Sequence, residues 1–177
     1  MKVSLNGRRN LVLLAQSLEA LELSLGLDHP DTIQARFKLA HAHRACQQFD
    51  RARELFEANA AAWTRAAGPD HAETLRARSS LANCHYAAGN YDEAIQQFAA
   101  VLADRERVLG PDHPDTMRSR GSLANSYRAS GRPRQALPMH QELLDDRQRV
   151  LGADHPSAQA SSRNLAATLK DLEQSNS

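Results

Sequence analysis

A turn-like segment recurs at a fixed interval along this chain. Its four copies read LGLDHPDT from Leu25, AGPDHAET from Ala67, LGPDHPDT from Leu109 and LGADHPSA from Leu151. The glycines of the copies, at positions 26, 68, 110 and 152, stand 42 residues apart. A fixed period of this size indicates a repeat array, in which each unit buries its apolar face against the next unit.

The residues between two copies predict a pair of helices, named here helix A and helix B. Apolar residues recur at helical spacing between Thr74 and Ala88, and again between Tyr91 and Leu102. The Gly-Asn pair at 89–90 breaks the pattern, since glycine accepts the left-handed conformation that ends a helix. So short a connector makes the two helices antiparallel neighbours.

The recurring segment itself has the composition of a helix stop followed by a helix start. Gly110 ends helix B, either Asp112 or His113 caps the next helix A, and Pro114 suits its first position. A metal site is the competing interpretation of the histidines. Because they stand one repeat apart, they are too far from one another to share an ion at bonds of about 2 Å. We therefore predict no metal and no cofactor at His29, His71, His113 and His155.

Composition argues against several other classes of protein. The 177 residues carry a formal net charge of +1 and contain no run of 18 apolar residues, so neither nucleic-acid binding nor a transmembrane helix is indicated. Cys46 and Cys84 occupy different places in their repeats, which argues against disulfides and favours the cytoplasm. The chain has no nucleophile elbow, P-loop or HExxH motif, so we expect no enzymatic activity.

The repeats resemble tetratricopeptide repeats. SLANCHYAAGNYDEAIQQF from Ser80 and SLANSYRASGRPRQALPMH from Ser122 share a Leu-Ala pair in helix A, a glycine at the turn and an alanine in helix B. The LGxDHPxT ending, and a period of 42 rather than about 34 residues, are similar to the kinesin-light-chain subclass. This resemblance implies an all-α, right-handed superhelical solenoid of about eight helices that binds other proteins. The resemblance also implies that the chain is the sensor or scaffold part of a larger bacterial regulator.

The repeat register assigns all of residues 1–177 to one solenoid. It predicts an orphan helix B at 8–25, full repeats at 31–67, 73–109 and 115–151, a final helix A at 156–172 and a frayed tail at 173–177. Such an array is compatible with a segment of a longer protein and with a complete small one. The orphan helix has no helix A to cover its leucines, so we expect homo-oligomers through the array ends, at Leu11, Leu14, Leu18 and Leu21.

A helical wheel identifies a candidate binding face on helix A, opposite the packed residue Leu81. Six of its sixteen positions are basic and none is acidic, although the whole chain is nearly balanced in charge. Helix A lines the concave, partner-binding surface of such arrays. We therefore predict that an extended, acidic peptide binds to Gln34, Phe37, His41, Arg44, Arg76, Ser79, Asn83, Tyr86, Arg118, Asn125, Arg128, Arg163 and Lys170.

Within this face the two asparagines are expected to hold the peptide backbone, because an amide both donates and accepts hydrogen bonds. Three alternatives stay open. The helix A arginines pair with helix B carboxylates of a neighbouring repeat, or the chain is a self-associating scaffold. In the third alternative the same arginines bind RNA, which needs aromatic stacking partners, and only Phe37, His41 and Tyr86 offer any.

Overall fold

The computed structural model describes residues 5–175, apart from the side chains of residues 5, 6 and 8. Within this range the chain forms eight α-helices joined by short connections. They are α1 (Leu5–Leu25), α2 (Pro30–Ala45), α3 (Phe49–Ala67), α4 (Ala72–Ala88), α5 (Tyr91–Leu109), α6 (Pro114–Ala129), α7 (Pro133–Leu151) and α8 (Pro156–Ser175). The predicted all-α helical repeat array is therefore confirmed.

The chain divides into two compact units, Met1–Asn90 and Tyr91–Ser177. In the first unit α1 packs against α2, α2 against α3 and α3 against α4, and in the second unit α5 packs against α6, α6 against α7 and α7 against α8. The last helix continues to Ser175, beyond the predicted end at residue 172. Organisation of the whole chain as a single solenoid stays a prediction.

The recurring histidines cap the N-termini of the A helices. Nδ1 of His113 accepts a hydrogen bond from the backbone N–H of Asp115 at 3.1 Å, so the cap is the histidine and not the preceding aspartate. The other three caps follow the same pattern, from Asp31 to His29 at 3.2 Å, from Glu73 to His71 at 3.3 Å and from Ser157 to His155 at 3.1 Å. The backbone N–H that each histidine accepts has no partner within its helix. Such a capping hydrogen bond stabilises the helix by about 1 kcal/mol.

The glycine and aspartate of the segment have separate functions. Gly110 has a φ of 84°, a backbone conformation that favours glycine. Asp112 accepts hydrogen bonds from Nη1 and Nη2 of Arg149, near the end of α7. Asp28 is bound by Arg65, near the end of α3, through Nε at 3.1 Å and Nη2 at 2.6 Å. These hydrogen bonds hold the pKa of both carboxyl groups below its ordinary value, and each pair joins one turn to the end of the following helix B.

Core residues occupy equivalent places in successive repeats. Leu39, Leu81 and Leu123 are 5%, 8% and 5% exposed, as the packed face of helix A requires. The repeat register predicts the same burial for Leu165 of α8, and this prediction is wrong, because Leu165 is only half-buried. Its helix, α8, packs against α7 and α6, and no described helix follows it.

The expectation that the α1 leucines lack cover is also wrong. Leu18 is buried, and the other three leucines pack around it, because α2 and α3 supply Ala35, Leu39 and Leu55. The large apolar residues that are exposed in this part of the chain form a different set: Val12, Leu13, Leu23, Leu25 and Leu27. No described helix is long and apolar enough to span a bilayer.

One core position carries a titratable side chain. His140 of α7 takes the place that Phe56 has in α3 and Phe98 has in α5, two repeats and one repeat earlier. It is fully buried, and neither of its ring nitrogens has a hydrogen-bond partner among the residues that the structure describes. This burial lowers the pKa of His140 to about 4, so we expect the second unit to lose stability as the pH falls.

Candidate functional site

The predicted binding residues lie on the four A helices, and each unit carries its own set. We call the first set the α2/α4 face: Gln34, Phe37, His41, Arg44, Arg76, Ser79, Asn83 and Tyr86. We call the second set the α6/α8 face: Arg118, Asn125, Arg128, Arg163 and Lys170. All of these residues are exposed or half-buried. Gly121, at the helix A position equivalent to Ser79, is buried instead, and a Cβ on it would lie 3.1 Å from Cδ2 of Leu143 on α7.

A guanidinium stacked on an aromatic ring is the main feature of the α2/α4 face. Cζ of Arg76 lies 4.4 Å from the centroid of the Phe37 ring. Nε of Arg76 also donates to Oε2 of Glu73, three residues earlier on α4, at 2.8 Å. The arginine is therefore held against the ring by an acid of its own helix. At an exposed site such a cation–π contact is worth about 0.5–1 kcal/mol.

Phe37 belongs to an aromatic cluster that reaches into the core. Its ring meets His41 edge-on at 4.4 Å and Phe56 of α3 at 5.7 Å, and His41 lies 5.1 Å from Phe56. Burial, with smaller contributions from Arg44 and Arg76, lowers the pKa of His41. The histidine is therefore neutral at neutral pH, and the positive charge of this face comes from its arginines.

The two asparagines differ in what they can offer to a peptide. Nδ2 of Asn83 donates to the backbone carbonyl of Ser79 at 2.8 Å, so one of its N–H groups is already engaged. Asn125 is half-buried, and its amide makes no hydrogen bond with the described residues. Asn125 therefore has its full capacity to donate and to accept.

Acidic side chains adjoin both faces, although none occupies a predicted position. Nη1 of Arg118 binds Oδ1 of Asp115 at 2.7 Å, and Nη1 of Arg128 binds Oδ2 of Asp171 at 3.2 Å. These acids and Glu73 lie on A helices. These contacts therefore do not support the alternative in which the face arginines pair with helix B carboxylates. Two cations of α8 have no acidic partner among the described residues: Arg163 and Lys170.

Carboxylates of the B helices bind other arginines, away from the faces. Arg120 of α6 is almost buried and bridges Glu106 of α5 at 2.9 Å and Asp146 of α7 at 2.6 Å. Arg36 of α2 binds Glu22 of α1 at 2.9 Å. These pairs fasten helices to one another. Exposed pairs such as Arg76 with Glu73 contribute only about 0.2–1 kcal/mol, so a ligand carboxylate can replace the acid.

Histidine, cysteine and acidic side chains do not group as a metal ion would require anywhere in the described part of the chain.

The helical wheel overlooked two acids beside the faces, Glu73 and Asp115. Each lies three residues before its arginine and could have been found from the sequence. It also overlooked Asp171, which lies 43 residues from Arg128 and gave no local signal.

Comparison with known proteins identifies the family. A family model for the tetratricopeptide repeat matches two overlapping stretches, residues 35–105 and 78–149. Two crystal structures of a kinesin light chain from Podosopora anserina with nearly identical TPR-like repeats, one of them a point variant, are each 27% identical to this chain. Each covers 95% of this chain, over 79% and 80% of their own lengths, with TM-scores of 0.83 and 0.81.

A third structure, BtubC (BKLC) from P. vanneervenii, is 16% identical and is similar in fold, with a TM-score of 0.77 over 96% of this chain and 68% of its own. No curated protein sequence matches the chain. The 42-residue period, the eight helices and the family match agree with one another. The chain therefore belongs to the tetratricopeptide repeat family, and its repeats are of the kinesin-light-chain type.

Proposed function

We propose that the protein is an interaction module that binds an extended, acidic segment of a partner protein on its helix A faces. Tetratricopeptide repeats generally mediate contacts between proteins. The observation that carries the finer proposal is the Arg76 guanidinium, which lies over the Phe37 ring and, among the described residues, pairs with the half-buried carboxylate of Glu73. This arrangement offers a fixed cation beside an apolar surface.

Binding would exchange one carboxylate for another. On the α2/α4 face a carboxylate of the ligand takes the place of Glu73 at Arg76. On the α6/α8 face, taken by itself, the amide of Asn125 is available to a peptide backbone. Hydrogen bonds to charged groups contribute about 1.5–3 kcal/mol each. An extended peptide must lose its conformational freedom, so we expect a net dissociation constant on the order of micromolar.

The Arg76→Glu variant is expected to weaken binding of a labelled Asp/Glu-rich peptide by at least about tenfold, because it removes a cation and repels the ligand. Fluorescence anisotropy measures this loss. The matched control is Arg51→Glu on α3, since Arg51 is also exposed and paired with an acid three residues away, Glu54. Both variants should retain the melting temperature of the parent, because exposed pairs of this kind contribute little to stability. Equal loss of binding in the two variants would remove the assignment to the α2/α4 face.

Salt and ligand type separate this proposal from RNA binding. Peptide binding should weaken with added salt, since exposed charges are screened over about 10 Å at 0.1 M. The same experiment with single-stranded RNA is expected to show weaker binding, because base recognition needs free aromatic faces. Phe37 and His41 are instead packed against each other and against Phe56. Tighter binding of RNA than of the acidic peptide would favour the alternative.

The proposal includes a place for the module in the cell. As a binding protein without catalytic activity, it would act in the cytoplasm as the sensor or scaffold part of a larger bacterial regulator. Affinity capture with the parent protein and with Arg76→Glu, followed by mass spectrometry, would identify partners that depend on the α2/α4 face.

Self-association is a second candidate function, and the exposed apolar residues of α1 favour it. Leu13 is 56% exposed and Leu23 is 83% exposed. We expect the mean mass from light scattering to rise with protein concentration, and to rise less in a Leu13→Glu, Leu23→Glu variant, whose substitutions lie outside the core. The control is Leu169→Glu on α8, which changes an exposed leucine of the second unit. A monomeric mass at every concentration would exclude this function.

A further inference from the structure

Two arginines at equivalent places in α5 and α7 hold the helix A that follows. In each case Nη1 donates to a backbone carbonyl and to a serine hydroxyl of that helix. The distances are 3.2 and 2.6 Å for Arg105, and 3.2 and 2.8 Å for Arg147. These acceptors are neutral, so the hydrogen bonds position the guanidinium groups without compensating their charge.

The two sites differ in the acid that begins helix A. Burial lowers the pKa of Arg105, and the negative charge of Asp115 opposes that effect. At the equivalent place beside Arg147 the chain has Ser157, and the first turn of α8 contains no acid. Burial lowers the pKa of Arg147 as well, and the neighbouring Arg118 adds to this effect. Arg147 is thus half-buried and makes no ion pair with the described residues.

The uncompensated guanidinium borders a cavity of about 290 Å³. Arg118, His155 and Ser157 also line this cavity, together with the apolar residues Pro114, Met117 and Leu151. Nδ1 of His155 accepts the N–H of Ser157 at 3.1 Å, so the proton of the neutral ring is on Nε2 and is available to a ligand. The carboxylate of Asp115 already binds Arg118.

We propose that this cavity binds a phosphate group. Two guanidinium groups and an imidazole N–H from three parts of the second unit provide donors for a tetrahedral anion with several acceptor oxygens, and arginine forks match such anions in shape. The cavity also has room for an organic group attached to the phosphate. Free phosphate and a phosphoryl group on another molecule share this chemistry. The site shares Arg118 with the α6/α8 face but differs from it in Arg147 and His155, which belong to neither helix A face.

Titration with inorganic phosphate, followed by the ¹H–¹⁵N NMR signal of the Ser157 amide and by the melting temperature, tests the proposal. We expect a saturable shift and a rise in melting temperature that chloride at equal ionic strength does not produce. A phosphoserine peptide and its unphosphorylated form supply the second arm. Binding of the phosphopeptide at least about tenfold tighter than phosphate would assign the group to a partner, and equal affinity would assign it to free phosphate.

The Ser157→Asp variant is the decisive change, because it restores the acid that Asp115 provides at the equivalent site. It should weaken phosphate binding by about ten- to a hundredfold and raise the melting temperature without phosphate. Ser157→Asn, which adds bulk without charge, should bind phosphate within about threefold of the parent protein. Ser157→Asp binding phosphate as the parent does, or chloride reproducing the response, would overturn the proposal.

Discussion

The His140→Phe variant is expected to retain about 2 kcal/mol of unfolding free energy that the parent protein loses between pH 7 and pH 5. His140 is fully buried in α7, and neither ring nitrogen has a hydrogen-bond partner in the described part of the chain. Burial, with smaller contributions from Arg128 and Arg147, lowers its pKa from 6.5 to about 4. The imidazole is therefore neutral in the folded protein at a pH where the unfolded chain is already protonated.

The sign of the effect follows from proton binding. Between pH 6.5 and about 4 the unfolded chain binds a proton at His140 that the folded protein excludes. The contribution of this group to stability is therefore complete above pH 6.5 and is lost as the pH falls toward 4. Phenylalanine does not titrate, and it also removes two buried nitrogens that cost about 1–3 kcal/mol each when unpaired. Its larger ring offsets part of this gain by crowding the core.

Urea unfolding of the parent and of His140→Phe at both pH values measures the difference. Comparing the two proteins cancels the titration of the other seven histidines. The mirror variant is Phe56→His, which places an imidazole at the same repeat position in α3, where the phenylalanine is fully buried. It should gain the acid sensitivity that His140→Phe loses. Equal loss of stability on acidification in the parent and in His140→Phe would show that His140 is protonated without unfolding.

Local signals account for the part of the fold that the sequence predicts. The stops and starts of the helices are encoded within a few residues, as at Gly110, His113 and Pro114, so the eight helices could be located from these signals and their period. Packing between helices that are distant in the chain could not be predicted from these local signals. Leu18 of α1 is covered in part by Leu55 of α3, and no local pattern reports that contact.

The residues of the candidate site were likewise predictable only where their signal is local. The helical wheel found the residues that face outward from helix A, but charge compensation depends on their neighbours. Glu73 could have been found from its spacing to Arg76, whereas Asp171 reaches Arg128 only through the packing of α8 beside α6. Equivalent positions that differ between repeats proved informative. The serine at 157 and the histidine at 140 stand where other repeats have an acid and a phenylalanine, and the structure shows the charge and the polar atoms that these differences leave unpaired.

The Leu81→Ala variant is expected to lower the free energy of unfolding by about 2–5 kcal/mol, because it leaves a cavity that a packed core cannot close. Leu81 packs in the first unit with four buried residues: Ala40, Ala52, Phe56 and Cys84. Urea unfolding with an unchanged slope against denaturant would attribute the loss to stability rather than to a change in the unfolded state.

Leu165→Ala is the matched control, since it makes the same deletion at the same repeat position on α8, where the side chain is only half-buried. We expect it to cost about 1 kcal/mol, because less apolar surface returns to water and no closed cavity forms. In a repeat array each repeat is stabilised by its neighbours. The free-energy cost of one deletion therefore depends on how many helices surround the deleted side chain. Equal losses for the two variants would mean that Leu81 and Leu165 are equally packed in solution, and would contradict the difference in burial between α4 and α8.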